Sequence, residues 1–101
     1  MEIILPIILC GDGELCKYKF LSDAEKDLEA YDIHLFIVFD SLYRKVELYK
    51  KDKYNRVGFR LIDVESKHDE FIEIIKDYMS SYNIDDDIDE FIQNIPIYPN
   101  C

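Results

Sequence analysis

The sequence predicts an α+β fold: an antiparallel sheet of about five strands with helices packed on it, in the order ββαβββαα. Short apolar runs rich in β-branched and aromatic residues are separated by turn signals, which is typical of strands. A segment nearer the carboxyl end repeats its apolar residues every three or four positions, as an amphipathic helix does. No stretch rich in Pro, Gly or Ser divides the 101 residues. We therefore expect a single domain over residues 1–101.

A β-hairpin is expected first. Residues 2–10 are apolar on both faces and predict a strand, and Pro6 favours an edge position or a bulge because proline lacks an N–H donor. Asp12-Gly13 favours a tight turn, since Gly tolerates a positive φ. Residues 15–20 alternate in polarity and predict the returning strand.

A short helix follows this hairpin. Ser22-Asp23-Ala24-Glu25 has the pattern of a capping box, in which the serine caps the helix and the glutamate reaches back. The predicted helix runs to about Ala30 and buries Ala24, Leu28 and Tyr31.

Three further strands and two helices complete the prediction. Residues 35–39 have no polar alternation and predict a central strand covered on both faces. Residues 44–50 and 54–64 do alternate, which predicts an antiparallel meander. A helix is expected to begin near Ser66, and its apolar face comprises Phe71, Ile72, Ile74, Ile75, Tyr78 and Met79. Asn83 and the aspartates at 85–87 favour the start of a last short helix that buries Ile88, Phe91, Ile92 and Ile95.

The cysteines do not indicate a disulfide framework or a zinc site. The count of three is odd, and no CxxC or histidine spacing is present. We expect Cys10 and Cys16 to act as small, partly buried apolar residues and Cys101 to be frayed. The apolar start of the chain has Glu2 where a signal peptide has a basic residue, so we expect a cytoplasmic protein. No apolar run approaches the roughly 18 residues of a membrane helix, so we expect no membrane segment.

The formal net charge is −10, and it is unevenly distributed. Residues 33–62 hold seven basic and three acidic side chains, whereas residues 63–101 hold two basic and eleven acidic ones. A negative field of this size repels nucleic acid and membrane surfaces and attracts basic partners.

No catalytic or cofactor signature is present, so we predict a binding protein and not an enzyme. His34 and His68 lie in no recognisable catalytic pattern, and no glycine-rich phosphate loop occurs. The acidic run from Asp85 to Glu90 lacks the central Gly and the alternating ligands of a calcium loop. We expect neither a metal nor a cofactor.

Partner contact is expected at the acidic helical region 63–90, because complementary charge favours association. Tyrosine is abundant, with eight residues, and it is enriched at protein interfaces. The predicted contact residues are Asp77, Tyr82, Asp85, Asp86, Asp87, Asp89, Glu90 and Tyr98. If the partner's surface is acidic, contact is expected instead on the basic hairpin 43–56, at Tyr43, Arg44, Tyr49 and Tyr54.

Two stretches carry a family resemblance that covers roughly residues 12–62. The first is Asp12-Gly13-Glu14-Leu15, followed by Phe20-Leu21-Ser22-Asp23-Ala24-Glu25-Lys26-Asp27-Leu28-Glu29 and Asp32; the second is Phe39-Asp40-Ser41-Leu42-Tyr43-Arg44-Lys45-Val46-Glu47-Leu48. In these stretches, and in size and acidity, the chain resembles immunity proteins of contact-dependent growth inhibition systems. Tyr43 is a departure, because a turn at that place is expected to hold Gly.

The resemblance implies a bacterial cytoplasmic protein that binds the effector domain of a cognate toxin, often a nuclease, and blocks its active site. Three other functions stay open. The basic hairpin 43–60 could bind nucleic acid. An unrecognised carboxylate or histidine site could make the chain an enzyme. The acidic face could mimic nucleic acid and occupy a host defence enzyme.

Overall fold

The computed structural model describes residues 2–101 and has an α+β fold, as predicted. One antiparallel sheet has the strand order β2-β1-β3-β4-β5. Its strands are β1 (Ile7–Gly11), β2 (Glu14–Tyr18), β3 (Phe36–Phe39), β4 (Lys45–Lys50) and β5 (Val57–Leu61). The helices are α1 (Leu21–Asp27), α2 (His68–Ser81) and α3 (Ile88–Gln93), and a 3₁₀ segment spans Ala30–Leu35. None of the helices within residues 2–101 has the length and apolar character needed to cross a membrane.

The continuous apolar run of β1 is explained by burial on both faces of the sheet. Ile7 and Leu9 pack with α1 and the 3₁₀ segment, in one core cluster with Ala24 and Leu28. Ile8 and Cys10 point to the other face, in a second cluster with Phe71, Ile75 and other residues of α2. Successive side chains of a strand alternate between faces, so two cores form on one sheet.

Pro6 favoured an edge position or a bulge for β1, and the edge position is wrong because β1 lies between β2 and β3. Pro6 precedes the strand, which begins at Ile7, and therefore removes no ladder donor. β1 pairs with β2 on one side and β3 on the other. The tight turn is confirmed, because Asp12 and Gly13 have φ values of 50° and 76°.

Helix α1 does not use the predicted capping box. It begins at Leu21, and its N-cap residue Phe20 makes no side-chain capping bond. The helix ends at Asp27 because Leu28 takes an extended conformation that buries its side chain. The chain then enters the 3₁₀ segment, where Tyr31 is 66% exposed, so its predicted burial is wrong.

The turn between β3 and β4 is organised by a buried carboxylate. Asp40 is fully buried, and its Oδ2 accepts from Nη2 of Arg44 at 2.6 Å and from the N–H of Ile4 at 3.2 Å. Tyr43 has φ 60°, a left-handed conformation that Gly adopts most easily. This explains why the turn was expected to hold Gly at this position. Its ring packs against Phe71, with centroids 4.8 Å apart.

The carboxyl terminus is not frayed, contrary to the prediction for Cys101. The N–H of Lys17 donates to the carbonyl of Pro96 at 2.9 Å, and the N–H of Tyr98 donates to the carbonyl of Lys17 at 2.8 Å. Cys101 forms a disulfide with Cys16, their Cα atoms being 5.7 Å apart. The last residues therefore lie along the outer edge of β2, and Cys16 is more than the small apolar residue that was expected.

The central strand β3 is covered on only part of its second face. Val38 and Phe39 are buried, but Ile37 is 40% exposed. Helices α2 and α3 cover this face over β1 and β2, and it is open beyond β3. The prediction of full coverage for β3 is therefore wrong at Ile37.

Candidate functional site

The acidic predicted contact residues all lie at the end of the fold that α2 and α3 form. Helix α2 buries Phe71, Ile75 and Met79, one turn apart, against the sheet. It ends where Asn83 takes φ 55°, a left-handed conformation that closes many helices. Asp87 begins α3 as its N-cap, and its Oδ2 accepts from the N–H of Glu90 at 3.2 Å, so the predicted cap is confirmed there.

These carboxylates are exposed and uncompensated. The exposed acidic residues of this end are Asp77, Asp85, Asp86, Asp87, Asp89 and Glu90. No Lys, Arg or His side chain in residues 2–101 forms an ion pair with any of them. We call this set the acidic end. Its negative charge is not balanced by cations of the described residues, so the acidic end attracts positively charged groups.

A cleft opens at the acidic end between α2, α3 and β2. Its volume is about 280 Å³. Leu15, Ile84 and Ile95 line the cleft with aliphatic side chains. Tyr78 and Phe91 form its aromatic walls, and Asp86 contributes a carboxylate. The rings of Tyr78 and Phe91 have centroids 5.9 Å apart and are tilted by 40°. A concave site with aromatic walls is therefore present where the charge is concentrated.

A larger cavity of about 500 Å³ adjoins this cleft on the other face of β2. The two share Leu15, Tyr78 and Pro96 in their linings, and the larger one is also lined by Glu14, Asp27, Glu29 and Asp32. Within it, the hydroxyl of Tyr18 donates to Oδ2 of Asp27 at 3.0 Å. Burial, followed by this hydrogen bond and the nearby acidic charge, raises the pKa of Tyr18. The negative charge thus continues around the edge of β2.

The two tyrosines of the predicted site have different surroundings. Tyr82 is 54% exposed at the end of α2, and its hydroxyl lies 3.4 Å from the carbonyl oxygen of Gly13. Tyr98 is half-buried and stacks on Tyr18, with centroids 5.2 Å apart. Tyr82 is therefore available to a partner, and much of the Tyr98 ring supports the carboxyl-terminal segment.

Most residues of the secondary predicted surface have structural contacts. Tyr43 packs against α2, and Arg44 pairs with the buried Asp40. The ring of Tyr49 covers Gly58, where an added Cβ would lie 2.3 Å from the ring. Tyr54, by contrast, is 70% exposed in the turn between β4 and β5.

The basic hairpin is largely neutralised by carboxylates. Within residues 2–101, ion pairs hold five of its seven basic residues: Arg44, Lys45, Lys51, Arg56 and Arg60. Arg60 also lies over the Tyr49 ring at 4.7 Å. The hairpin therefore presents less free positive charge than its sequence suggests.

The remaining reactive side chains do not converge. His34 is exposed before β3, and His68 lies at the start of α2 against Tyr43. Cys10 is buried and unpaired, and burial raises the pKa of its thiol to about 12. In the part of the chain that the structure describes, no three His, Cys, Asp or Glu residues are grouped as a metal site requires.

Sequence reasoning found the charges of this site but missed the cleft. The cleft joins Leu15 of β2 to Phe91 and Ile95, which lie more than seventy residues later. Comparisons of the chain with protein families, with curated proteins and with solved structures find no match.

Proposed function

We propose that this chain is an immunity protein, which binds the effector domain of a cognate bacterial toxin and neutralises it by protein–protein contact. The proposal assigns binding and not catalysis to the chain. The effector domain is proposed to be a nuclease, because nucleases carry basic grooves for their substrates and an acidic inhibitor complements them.

One observation carries this proposal: the acidic end has six exposed carboxylates without cationic partners in residues 2–101, and one of them, Asp86, lines a concave site with aromatic walls. Partner-binding surfaces combine an apolar or aromatic anchor region with charges that steer association. Asp77 lies on α2, which Phe71 and Ile75 fix to the core, and Asp87 is held as the N-cap of α3, so part of this surface is ordered before binding.

The proposed location is the cytoplasm, where a nuclease toxin reaches its substrate. Cytosolic reductants keep most thiols reduced, so the disulfide between Cys16 and Cys101 would be open there for much of the time. The acidic end does not depend on this bond. Phe71 and Ile75 hold α2 in the core, and Ile95 holds the segment after α3 in the same core cluster.

The test is the affinity for the product of the neighbouring gene, measured by calorimetry. The decisive variant replaces Asp85, Asp86 and Asp89 with Lys and leaves Asp87 in place, because Asp87 caps α3. We expect a loss of at least about 100-fold in affinity, since like charges then face each other across the contact.

A matched control separates local from diffuse charge. Replacing Glu2, Glu25 and Glu29 with Lys changes the net charge by the same amount at solvent-accessible positions outside both residues 63–90 and the lining of the cleft. We expect a loss of less than about 10-fold for this control. Equal losses for both variants, or no complex for the unmodified protein, would contradict the proposal.

Nucleic-acid binding by residues 43–60 is a second proposal, favoured by the exposed Lys50, Lys53 and Tyr54 at the end of the hairpin. Filter binding at low salt tests it. Retention of single-stranded nucleic acid at micromolar protein, abolished by Lys50→Glu and Lys53→Glu, would support it. Absence of retention would remove it.

A further inference from the structure

We propose that the cleft between α2, α3 and β2 receives a single arginine side chain of the partner. This inference rests on the proposed function and specifies the chemistry of its central contact. It concerns a site of defined lining and does not require the identity of the toxin.

The size of the cleft limits what can occupy it. Its volume of about 280 Å³ lies just below the range of roughly 300–1,000 Å³ that is usual for small-molecule sites. A whole helix or strand of a partner does not fit into it, whereas one long side chain does. Interfaces are commonly anchored in this way, by one large residue in a preformed pocket.

The lining matches the two parts of an arginine side chain. Leu15, Ile84 and Ile95 offer apolar contact to the methylene stem. The rings of Tyr78 and Phe91 pack against each other and bring aromatic surface to the lining, against which a planar guanidinium can lie. Asp86 supplies a carboxylate that can accept its N–H groups.

The charge of the surroundings favours a cation over an apolar anchor. Asp86 has no ion-pair partner within the described part of the chain, and Asp85, Asp87 and Asp89 are its neighbours. The side chain of Lys17 on β2 reaches α3, where its Nζ donates a hydrogen bond to the carbonyl of Ile92 at 3.0 Å. No carboxylate of the acidic end is neutralised by it, so an incoming guanidinium finds an unoccupied counter-charge.

The experiment is an NMR titration of the isolated protein with two small probes, N-acetyl-arginine methylamide and its uncharged counterpart N-acetyl-norleucine methylamide. We expect the arginine probe to shift the methyl signals of Leu15, Ile84 and Ile95 in a saturable manner. The norleucine probe is expected to bind at least several-fold more weakly, because it cannot pair with Asp86. Titrations at constant chloride separate this contact from a general effect of salt.

Two variants of equal charge distinguish the cleft from diffuse attraction. Asp86→Asn is expected to weaken binding of the arginine probe by up to about five-fold, the upper factor for an exposed charge pair. Asp89→Asn, which removes an exposed charge outside the lining, is expected to change it less than two-fold. Amide spectra that superimpose on the unmodified protein confirm that both variants are folded.

Equal weakening by the two variants, or absence of saturable shifts with the arginine probe, would overturn this inference. The proposed function is judged separately, by the complex with the neighbouring gene's product. A tight complex together with an unresponsive cleft would refute the arginine site alone.

Discussion

Replacing the buried Asp40 with Asn should strongly destabilise the fold. Oδ1 of Asp40 accepts from the N–H groups of Leu42 and Arg44, each at 3.0 Å, and Oδ2 accepts three further bonds, from Ile4 and from the Arg44 guanidinium. In the Asn variant, an NH₂ group in place of Oδ2 would face the N–H of Ile4 and the two N–H groups of the Arg44 guanidinium. These three hydrogen bonds would then be lost. Removing one member of a buried ion pair costs about 3–5 kcal/mol.

Urea unfolding followed by circular dichroism measures this loss. With a slope of about 1–3 kcal/mol per molar, the midpoint should fall by at least roughly 1 M. Arg44→Met is the matched variant: it removes the other member of the pair, leaves Asp40 with three backbone N–H donors, and should cost a similar amount, about 3–5 kcal/mol. A D40N variant within about 1 kcal/mol of the unmodified protein would refute the structural role assigned to this carboxylate.

The acid side of the stability profile checks the same site. Burial alone would raise the pKa of Asp40, but the hydrogen bonds from Arg44, Ile4 and Leu42 outweigh it and hold that pKa below the ordinary 3.8. The charged form is therefore favoured in the folded state, and its stabilisation is complete above pH 3.8 and lost as the pH falls through the folded pKa. D40N should lack this part of the acid-induced loss.

Three further predictions concern other parts of the fold. Cys101→Ser removes a disulfide between residues 85 positions apart, and the lost loop constraint should lower the free energy of unfolding by about 4–5 kcal/mol. Reductant should then have no further effect on urea unfolding of the variant. If reductant does not destabilise the unmodified protein either, this prediction is contradicted. The free Cys10, with its raised pKa of about 12, should resist iodoacetamide in the native protein, so that mass spectrometry finds one labelled thiol per chain only after denaturation. Gly11→Ala should lower the free energy of unfolding in urea by about 1–3 kcal/mol. Gly11 has φ 145°, and an added Cβ would lie 2.1 Å from the carbonyl oxygen of Leu35. An unchanged urea midpoint would exclude that contact.

Local signals in the sequence were enough for the elements whose causes are local. The Asp12-Gly13 turn, the meander of β3 to β5 and the buried face of α2 follow from residues that are neighbours in the chain. The exposed carboxylates around Asp87 could also be predicted, since a helix start favours acids and leaves them in solvent.

Features that depend on distant residues could not be predicted. Pairing of β1 with β3 places β1 inside the sheet, and that pairing is invisible in the apolar run itself. Lys17 meets Ile97 across eighty residues, which orders the carboxyl terminus and brings Cys101 to Cys16. The cleft of the acidic end forms by the same long-range packing, so its lining emerged only with the fold.

The charge separation of the molecule gives its two ends different roles. Ion pairs hold most of the basic residues of the hairpin, whereas the carboxylates of the acidic end form no ion pair within residues 2–101. Lys50 and Lys53, at the far end of the hairpin, remain outside the ion pairs within residues 2–101. If the proposed function holds, the partner is expected to contact the acidic end and to leave the hairpin in solvent.

Amide hydrogen exchange of the protein, alone and in complex with the neighbouring gene's product, tests this account most directly. We expect the complex to slow exchange in residues 77–95, around Asp86 and the cleft, and to leave the hairpin 45–61 unchanged. Slowed exchange confined to the hairpin, with residues 77–95 unaffected, would show that the acidic end is not the binding surface.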